Sequence, residues 1–165
     1  AIEVAENEVA SMQARVVEIL SASAPGAPLA ACTEAVLEAG RGLVGDRYHA
    51  GAGTFSARLA GTPDAELTLI EAEAIERFNQ SAGLAMKAAD FRRNIVTRGV
   101  GLNELVGVEF RVGGALLRGL RLCEPCAHLA RVANPKVLPG MVHSAGLRAQ
   151  ILVGAVIRPG DLLVI

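Results

Sequence analysis

Short apolar runs punctuated by glycine and proline set the pattern of this chain. Ala14–Leu20 (ARVVEIL) is apolar and β-branched and predicts a first strand. Ser21–Leu29 carries two prolines among small residues and predicts a loop, after which Thr33–Leu37 resumes as a strand. Ala50–Asp64, rich in Gly, Ala and Thr, predicts a mobile surface loop. Glu66–Ile70 predicts the next strand. In Glu71–Asn79, Ala72, Ile75 and Phe78 recur at helical spacing, acids crowd the first turn and Gly83 closes the segment, which predicts the main helix. Later strands are predicted over Asn94–Thr97, Glu109–Val112, Ala115–Leu122, Leu147–Val153 and Leu162–Ile165. Gly113-Gly114 is a hairpin signal, Pro125–Ala130 predicts one short helix, Pro135 and Pro139-Gly140 break the chain, and Arg158–Asp161 predicts a turn.

About eight short strands and one solid helix describe a mainly β single domain, and a barrel is the expected architecture. It is placed over residues 12–165, with 1–11 as a flexible leader. At 165 residues and 52% hydrophobic residues, the chain suffices for one domain with a full core. No window approaches about 18 uncharged apolar residues, so no membrane span is expected. The first residues are acidic and lack a basic segment followed by an apolar one, so the reading is cytoplasmic rather than secreted.

A net charge of −1 argues against general nucleic-acid binding. Its distribution changes the picture. Residues 1–86 carry −7, residues 87–131 carry +4 and the remainder +2, and 14 of the 16 basic residues are arginine. Arginine's rigid fork suits a phosphate or carboxylate, so the positive half suggests an anionic small molecule.

The candidate chemistry is concentrated in that half. Arg92, Arg93 and Asn94 open an apolar strand; strict alternation would put Arg93 on the face opposite Arg92. Cys123-Glu124-Pro125-Cys126 stands at the other end of the stretch, with His128 two residues on. The CxxC spacing has four readings: a zinc site needing further ligands from His128, His143 or Cys32; a redox pair; two packing cysteines; or one reactive thiol at Cys126. In the last reading the helix N-terminus and nearby arginines would favour the thiolate, which suits a metal centre or sulfur transfer. Gly40-x-Gly42-x-x-Gly45 matches a dinucleotide pattern without the flanking strand and long helix that pattern needs. Asp46, Arg47 and His49 follow it, as an ion pair across a turn or as site residues.

GLVGDRYH, DFRRNIVTRGVGLNEL, GVEFRVGGALLRGLRLCEPCAHL and GLRAQILVGAVIRPGDLL resemble, in order, the successive blocks of the MOSC family. That family includes the C-terminal domains of molybdenum-cofactor sulfurases and small stand-alone bacterial proteins. The resemblance implies a closed, mostly antiparallel MOSC-type β-barrel and binding of a molybdopterin-type molybdenum cofactor. It implies Cys126 as the metal-bonding or sulfur-carrying residue, Arg92 and Asn94 (with Arg93) as contacts to the pterin and its phosphate, and Asp46 and Arg47 at the pocket rim. His128 is a further candidate beside Cys126. One departure stands out: many small relatives carry His-Arg-Gly-Gly where this chain has His143-Ser144-Ala145-Gly146. The sulfurases' pyridoxal phosphate domain does not fit in this length, so that cofactor attaches by family association only.

The implied function is an oxidoreductase reducing N-hydroxylated or related small molecules with a cysteine-ligated molybdenum, which needs an external electron-transfer partner. The alternatives are a sulfur carrier or cofactor chaperone using a Cys126 persulfide, supplied by a sulfur donor, and a binding barrel whose cysteines are packing.

Overall fold

The first strand, β1 at Arg15–Ser21, forms where the β-branched run predicts it. The computed structural model describes residues 13–165, and the expected leader lies outside the described residues. Two short strands follow the proline loop and its continuation, β2 (Ala30–Ala31) and β3 (Ala35–Glu38), then β4 (Gly42–Leu43). The segment expected to be a mobile loop instead contains a helical turn, α1 (Ser56–Leu59), and a 3-10 turn at Pro63–Ala65. Strand β5 (Leu67–Glu71) runs directly into the main helix α2 (Ala72–Ala82), which ends on Gly83 in the left-handed conformation at φ 68°. Glycine is the residue that adopts this C-cap geometry without a Cβ penalty.

The second half is strand β6 (Ile95–Arg98), the hairpin of β7 (Glu109–Val112) and β8 (Ala115–Leu122), and helices α3 (Ala127–Val132) and α4 (Val137–Gly140). Strands β9 (Leu147–Val153), β10 (Ala155–Ile157) and β11 (Leu163–Val164) complete it. Of the prolines expected to break the chain, Pro135 precedes the short helix α4 and Pro139 lies within its single turn, where proline is tolerated.

The main sheet has the order β11-β7-β8-β9-β5-β6-β1-β2, and β10-β3-β4 form a smaller sheet. All pairings are antiparallel except β5 with β6. That pair is parallel because α2 carries the chain back between them, the crossover that parallel strands require.

The expected closed barrel is not what forms: neither sheet closes on itself. The two-residue β11 meets β1 through an isolated Arg15–Leu162 bridge and a few backbone bonds, Leu163 N–H to Ala14 O at 2.8 Å among them, not through a ladder. Counting strands cannot foresee this, since closure depends on tilt and stagger between strands that are distant in sequence.

Strand alternation splits the apolar residues into two cores. Val16, Ile19, Leu67, Leu69, Ile95, Phe110 and Leu117 share one cluster between the sheets, while Leu20, Ile70, Val96, Ile75 and Phe78 share the other, beneath the helices. A bulge between Val16 and Glu18 lets both Val16 and Ile19 reach the first cluster despite their odd spacing. Phe91, fully buried, meets Phe78 edge-on at 5.9 Å and fastens the 3-10 turn Ala88–Phe91 beneath α2. Such buried aromatics contribute about 1.5–3 kcal/mol each.

Candidate functional site

The turn anchored by Phe91 decides where the arginines go. Arg92 caps it in the left-handed conformation, φ 61°, one of two non-glycine residues with positive φ among those described. The strand begins only at Ile95, so the alternation expected to separate Arg92 from Arg93 does not operate, and both line one cavity. The space around these residues, its open mouth and the adjoining solvent included, amounts to about 580 Å³.

Four other segments complete it. The end of β8 and the start of α3 bring Cys123, Cys126 and His128; the loop after β4 brings Arg47, Tyr48 and Phe55; β5 and β9 bring Thr68 and Arg148. Of the residues singled out in the sequence, Arg47, Arg92, Arg93, Asn94, Cys126 and His128 therefore meet around one space. Asp46 lies behind it, 2% exposed, with its carboxylate accepting bonds from Arg47 Nη1 at 3.0 Å and from the backbone N–H groups of Ala22 and Tyr48.

These residues are not equally available to a ligand. Asn94 spends its amide internally: Oδ1 accepts from Thr68 N and Oγ1 at 3.3 and 3.2 Å, and Nδ2 donates to Leu20 O at 3.2 Å. It ties β1, β5 and β6 together at the cavity floor. Arg93 donates from Nε to Ala145 O at 2.8 Å and from Nη2 to Cys123 O at 3.1 Å, so it clamps the two backbones flanking the thiols. Gly146, next to that clamp, has φ 121°, and a Cβ there would stand 2.1 Å from Leu69 O; only glycine fits. Ala145, in the run where the family pattern departs, supplies its backbone carbonyl to Arg93.

Arg92 donates from Nη1 to Ala27 O at 2.8 Å. Burial, and then the neighbouring Arg47 charge, push the pKa of its guanidinium below the ordinary arginine value. Arg92, Arg93 and Arg148 bond to backbone carbonyls and make no ion pair among the described residues; Arg148 Nη1 reaches Asp64 O at 3.0 Å. The cavity wall therefore carries more positive charge than Asp46 neutralises, and a bound anion would relieve the repulsion. Cys126 is partly buried and N-caps α3, while Cys123 is 2% exposed. His128 packs its ring edge-on to Phe55 at 5.7 Å.

The other candidates fall elsewhere. Cys32 lies against the first core, its sulfur 3.3 Å from Ser21 Oγ. His49 Nε2 is 2.6 Å from Glu38 Oε2 and lines a separate depression; the contact holds the Glu38 carboxyl below its usual range. His143 is exposed and pairs with Glu124 at 2.8 Å. All three cysteines are free, and among the described residues no group of three His, Cys, Asp or Glu side chains could hold a metal, so the four-ligand zinc reading finds no assembled site.

Sequence reasoning passed over Tyr48, Phe55, Thr68 and Arg148. An aromatic inside a Gly- and Ala-rich loop and an arginine within an apolar strand were the available signals. A donor set of several arginines and a soft sulfur suits a phosphate-bearing ligand with a thiophilic metal.

The sequence profile of the MOSC domain matches residues 56–164. No curated protein sequence matches the chain. Among solved structures, the YuaD protein from Bacillus subtilis superposes with a TM-score of 0.78 at 13% identity, covering 92% of this chain and 94% of that one. YiiM from Geobacillus stearothermophilus superposes at 0.68 with 17% identity, over 92% and 74% of the two chains. YiiM from Escherichia coli superposes at 0.64 with 20% identity, over 91% and 68%. At these identities the likeness concerns the fold. No helix among the described residues is long and apolar enough to cross a membrane.

Proposed function

The chain belongs to the MOSC domain family, which is linked to molybdenum cofactor binding, and on that premise we propose that its arginine-lined cavity holds a molybdopterin-type cofactor with Cys126 as sulfur ligand. In this reading the protein is an oxidoreductase that reduces N-hydroxylated or related small molecules. One observation carries it: Cys126 and four arginines, Arg47, Arg92, Arg93 and Arg148, line a single cavity although they come from four separate segments.

Each residue then has a distinct task. Arg92 and Arg47 provide charge-assisted donors for the cofactor's phosphate, strengthened by burial. Arg93 and Asn94 hold the cavity walls at fixed spacing through their backbone contacts. Phe55 and Leu129 shield the thiol side of the cavity from water. When bound, the molybdenum centre supplies two-electron redox chemistry at an oxygen-bearing substrate. Reduction of an N-hydroxyl group breaks the N–O bond, consumes two electrons and two protons and releases water. His128, on the cavity wall, is positioned to hand a proton to the leaving oxygen. The electrons come from an external carrier protein.

Partial exposure of Cys126 favours a second reading, in which its thiol carries a persulfide and the protein transfers sulfur without reducing a substrate. Purification from a host that makes the cofactor, with molybdenum measured per chain, tests the first. The wild-type chain is expected to retain molybdenum, Cys126→Ser to lose it and Cys123→Ser to keep it. Arg92→Ala is expected to weaken cofactor binding about tenfold to hundredfold, the equivalent of roughly 1.5–3 kcal/mol for a charged hydrogen bond. A wild-type chain without molybdenum, yet with a persulfide on Cys126 detected by mass spectrometry, would favour the second reading.

A further inference from the structure

We propose that Arg148 is a second anion-recognition point in the cavity, and that the substrate it selects is an N-hydroxylated small molecule carrying a carboxylate or phosphate group. The inference rests on the oxidoreductase reading and names the substrate class for the same site.

Charge at β9 is the first observation. Arg148 stands opposite Arg121 of β8 in the strand register, and both side chains reach Asp64. Arg121 Nε pairs with the Asp64 carboxylate at 3.0 Å, whereas Arg148 Nη1 donates to the Asp64 backbone carbonyl at 3.0 Å. One carboxylate therefore serves two facing cations, and it is bonded to Arg121, which is more than half exposed to solvent. Like charges opposite one another across a ladder disfavour the pairing. Arg148 is half-buried on the cavity wall and has no carboxylate partner among the described residues. A guanidinium carries five donors in a fixed fork, so one bond to a carbonyl leaves donors for an oxyanion.

Position separates Arg148 from the arginines given to the cofactor's phosphate. Arg92 Nη1 is bonded to Ala27 O in the loop after β1, and the Arg47 N–H donates to Ala22 O at 2.7 Å beside the same strand end. In the sheet order, β9 is separated from β6 by β5, and from β1 by both β5 and β6. At the usual strand spacing, the β9 backbone runs about 10 Å from that of β6 and about 14 Å from that of β1. Arg148 is drawn toward Asp64 and Arg92 toward Ala27, so the two guanidinium groups are held on opposite flanks. One phosphate seated on Arg92 and Arg47 leaves Arg148 uncompensated.

The thiols stand on the Arg148 flank. The Cys123 N–H donates to Gly146 O at 2.8 Å, two residues along the chain from Arg148. With Cys126 as the sulfur ligand, the molecule that meets the metal also meets Arg148. An oxyanion on that molecule supplies the missing counter-charge and fixes its orientation.

The test uses the full chain purified from a host that makes the cofactor, with two compounds that differ by one carboxylate, N-phenylhydroxylamine and 4-(hydroxyamino)benzoate. Reduced methyl viologen supplies two electrons and solvent two protons; the N–O bond breaks, giving the amine and water. The wild type is expected to prefer the carboxylate compound in kcat/KM by at least about tenfold, the scale of a charge-assisted hydrogen bond. Arg148→Met is expected to lose that preference and Arg148→Lys to keep part of it, each with the molybdenum content of the wild type. Thermal unfolding identifies the folded variants, and the wild-type preference needs no variant at all. Equal, measurable kcat/KM for the two compounds in the wild type overturns the proposal. Loss of molybdenum from folded Arg148→Met also overturns it, because the arginine would then serve the cofactor. Calorimetry with 4-aminobenzoate, which keeps the carboxylate and cannot be reduced, reads the site without turnover. Arg148→Met should bind it at least about tenfold more weakly than the wild type, and equal affinities would refute the assignment. A wild type that reduces neither compound yet binds 4-aminobenzoate through Arg148 would sink the oxidoreductase reading and leave the anion point standing.

Discussion

Removing the Asp46 carboxylate is the sharpest test of how the cavity wall is built. Asp46 and Arg47 are 2% and 5% exposed and pair at 3.0 Å, and the same carboxylate accepts the backbone N–H groups of Ala22 at 3.1 Å and Tyr48 at 3.2 Å. It therefore neutralises a buried cation and fixes the loop that carries Arg47 and Tyr48 into the cavity. Asp46→Ala strands that cation together with two donors. Breaking a buried pair from one side costs about 3–5 kcal/mol, and a domain of this size loses about 2–4 °C of Tm per kcal/mol, so Tm should fall by roughly 6–20 °C. Asp46→Asn should fall between, since its amide keeps one acceptor and turns an N–H toward another N–H. The double variant Asp46→Ala/Arg47→Met should recover much of the loss by removing the stranded charge. Urea unfolding of these proteins and of Arg47→Met alone measures each ΔG. An Asp46→Ala loss below about 1 kcal/mol, or a double variant that loses the sum of the singles, would show that the pair does not organise this wall.

Two further outcomes are expected. Asn94→Ala should cost about 1–3 kcal/mol, because it leaves the Leu20 carbonyl and Thr68 groups without their buried partner; unchanged hydrogen exchange in β1, β5 and β6 would contradict the cross-brace. Glu66 accepts bonds from Gly40 N and Ile151 N through Oε1, and burial pushes its carboxyl above the ordinary range. The folded state thus holds this proton more tightly than the unfolded chain, so its contribution to stability falls as pH rises from the ordinary carboxyl range through the raised value. Glu66→Gln, which keeps the acceptor but cannot ionise, should flatten that decline; identical slopes of stability against pH for both proteins would refute the assignment.

Much of this fold was legible locally. The β7–β8 hairpin and β9 form over the residues that their patterns predict, because a two-glycine turn and strand-length apolar runs encode those elements within a few residues. The main helix also starts where its acids and apolar spacing put it, and it ends at Gly83. The family's motifs marked Arg92, Cys126 and their neighbours by residue type and order. What escaped was everything that depends on partners far along the chain. Strands β2, β4 and β10 are two or three residues long and exist only through their pairing. The sheet stays open because β11 offers two residues where a closing ladder would need more, a matter of three-dimensional stagger. Arg93 joins Arg92 because the left-handed residue between the turn and the strand resets the direction of both side chains. Tertiary packing also decided which polar groups are spent holding walls and which face the cavity. Asn94 and Asp46 find their partners 26 to 74 and 1 to 24 residues away, respectively. A side chain's type states what it can bond, but only the fold determines which of its bonds are already made.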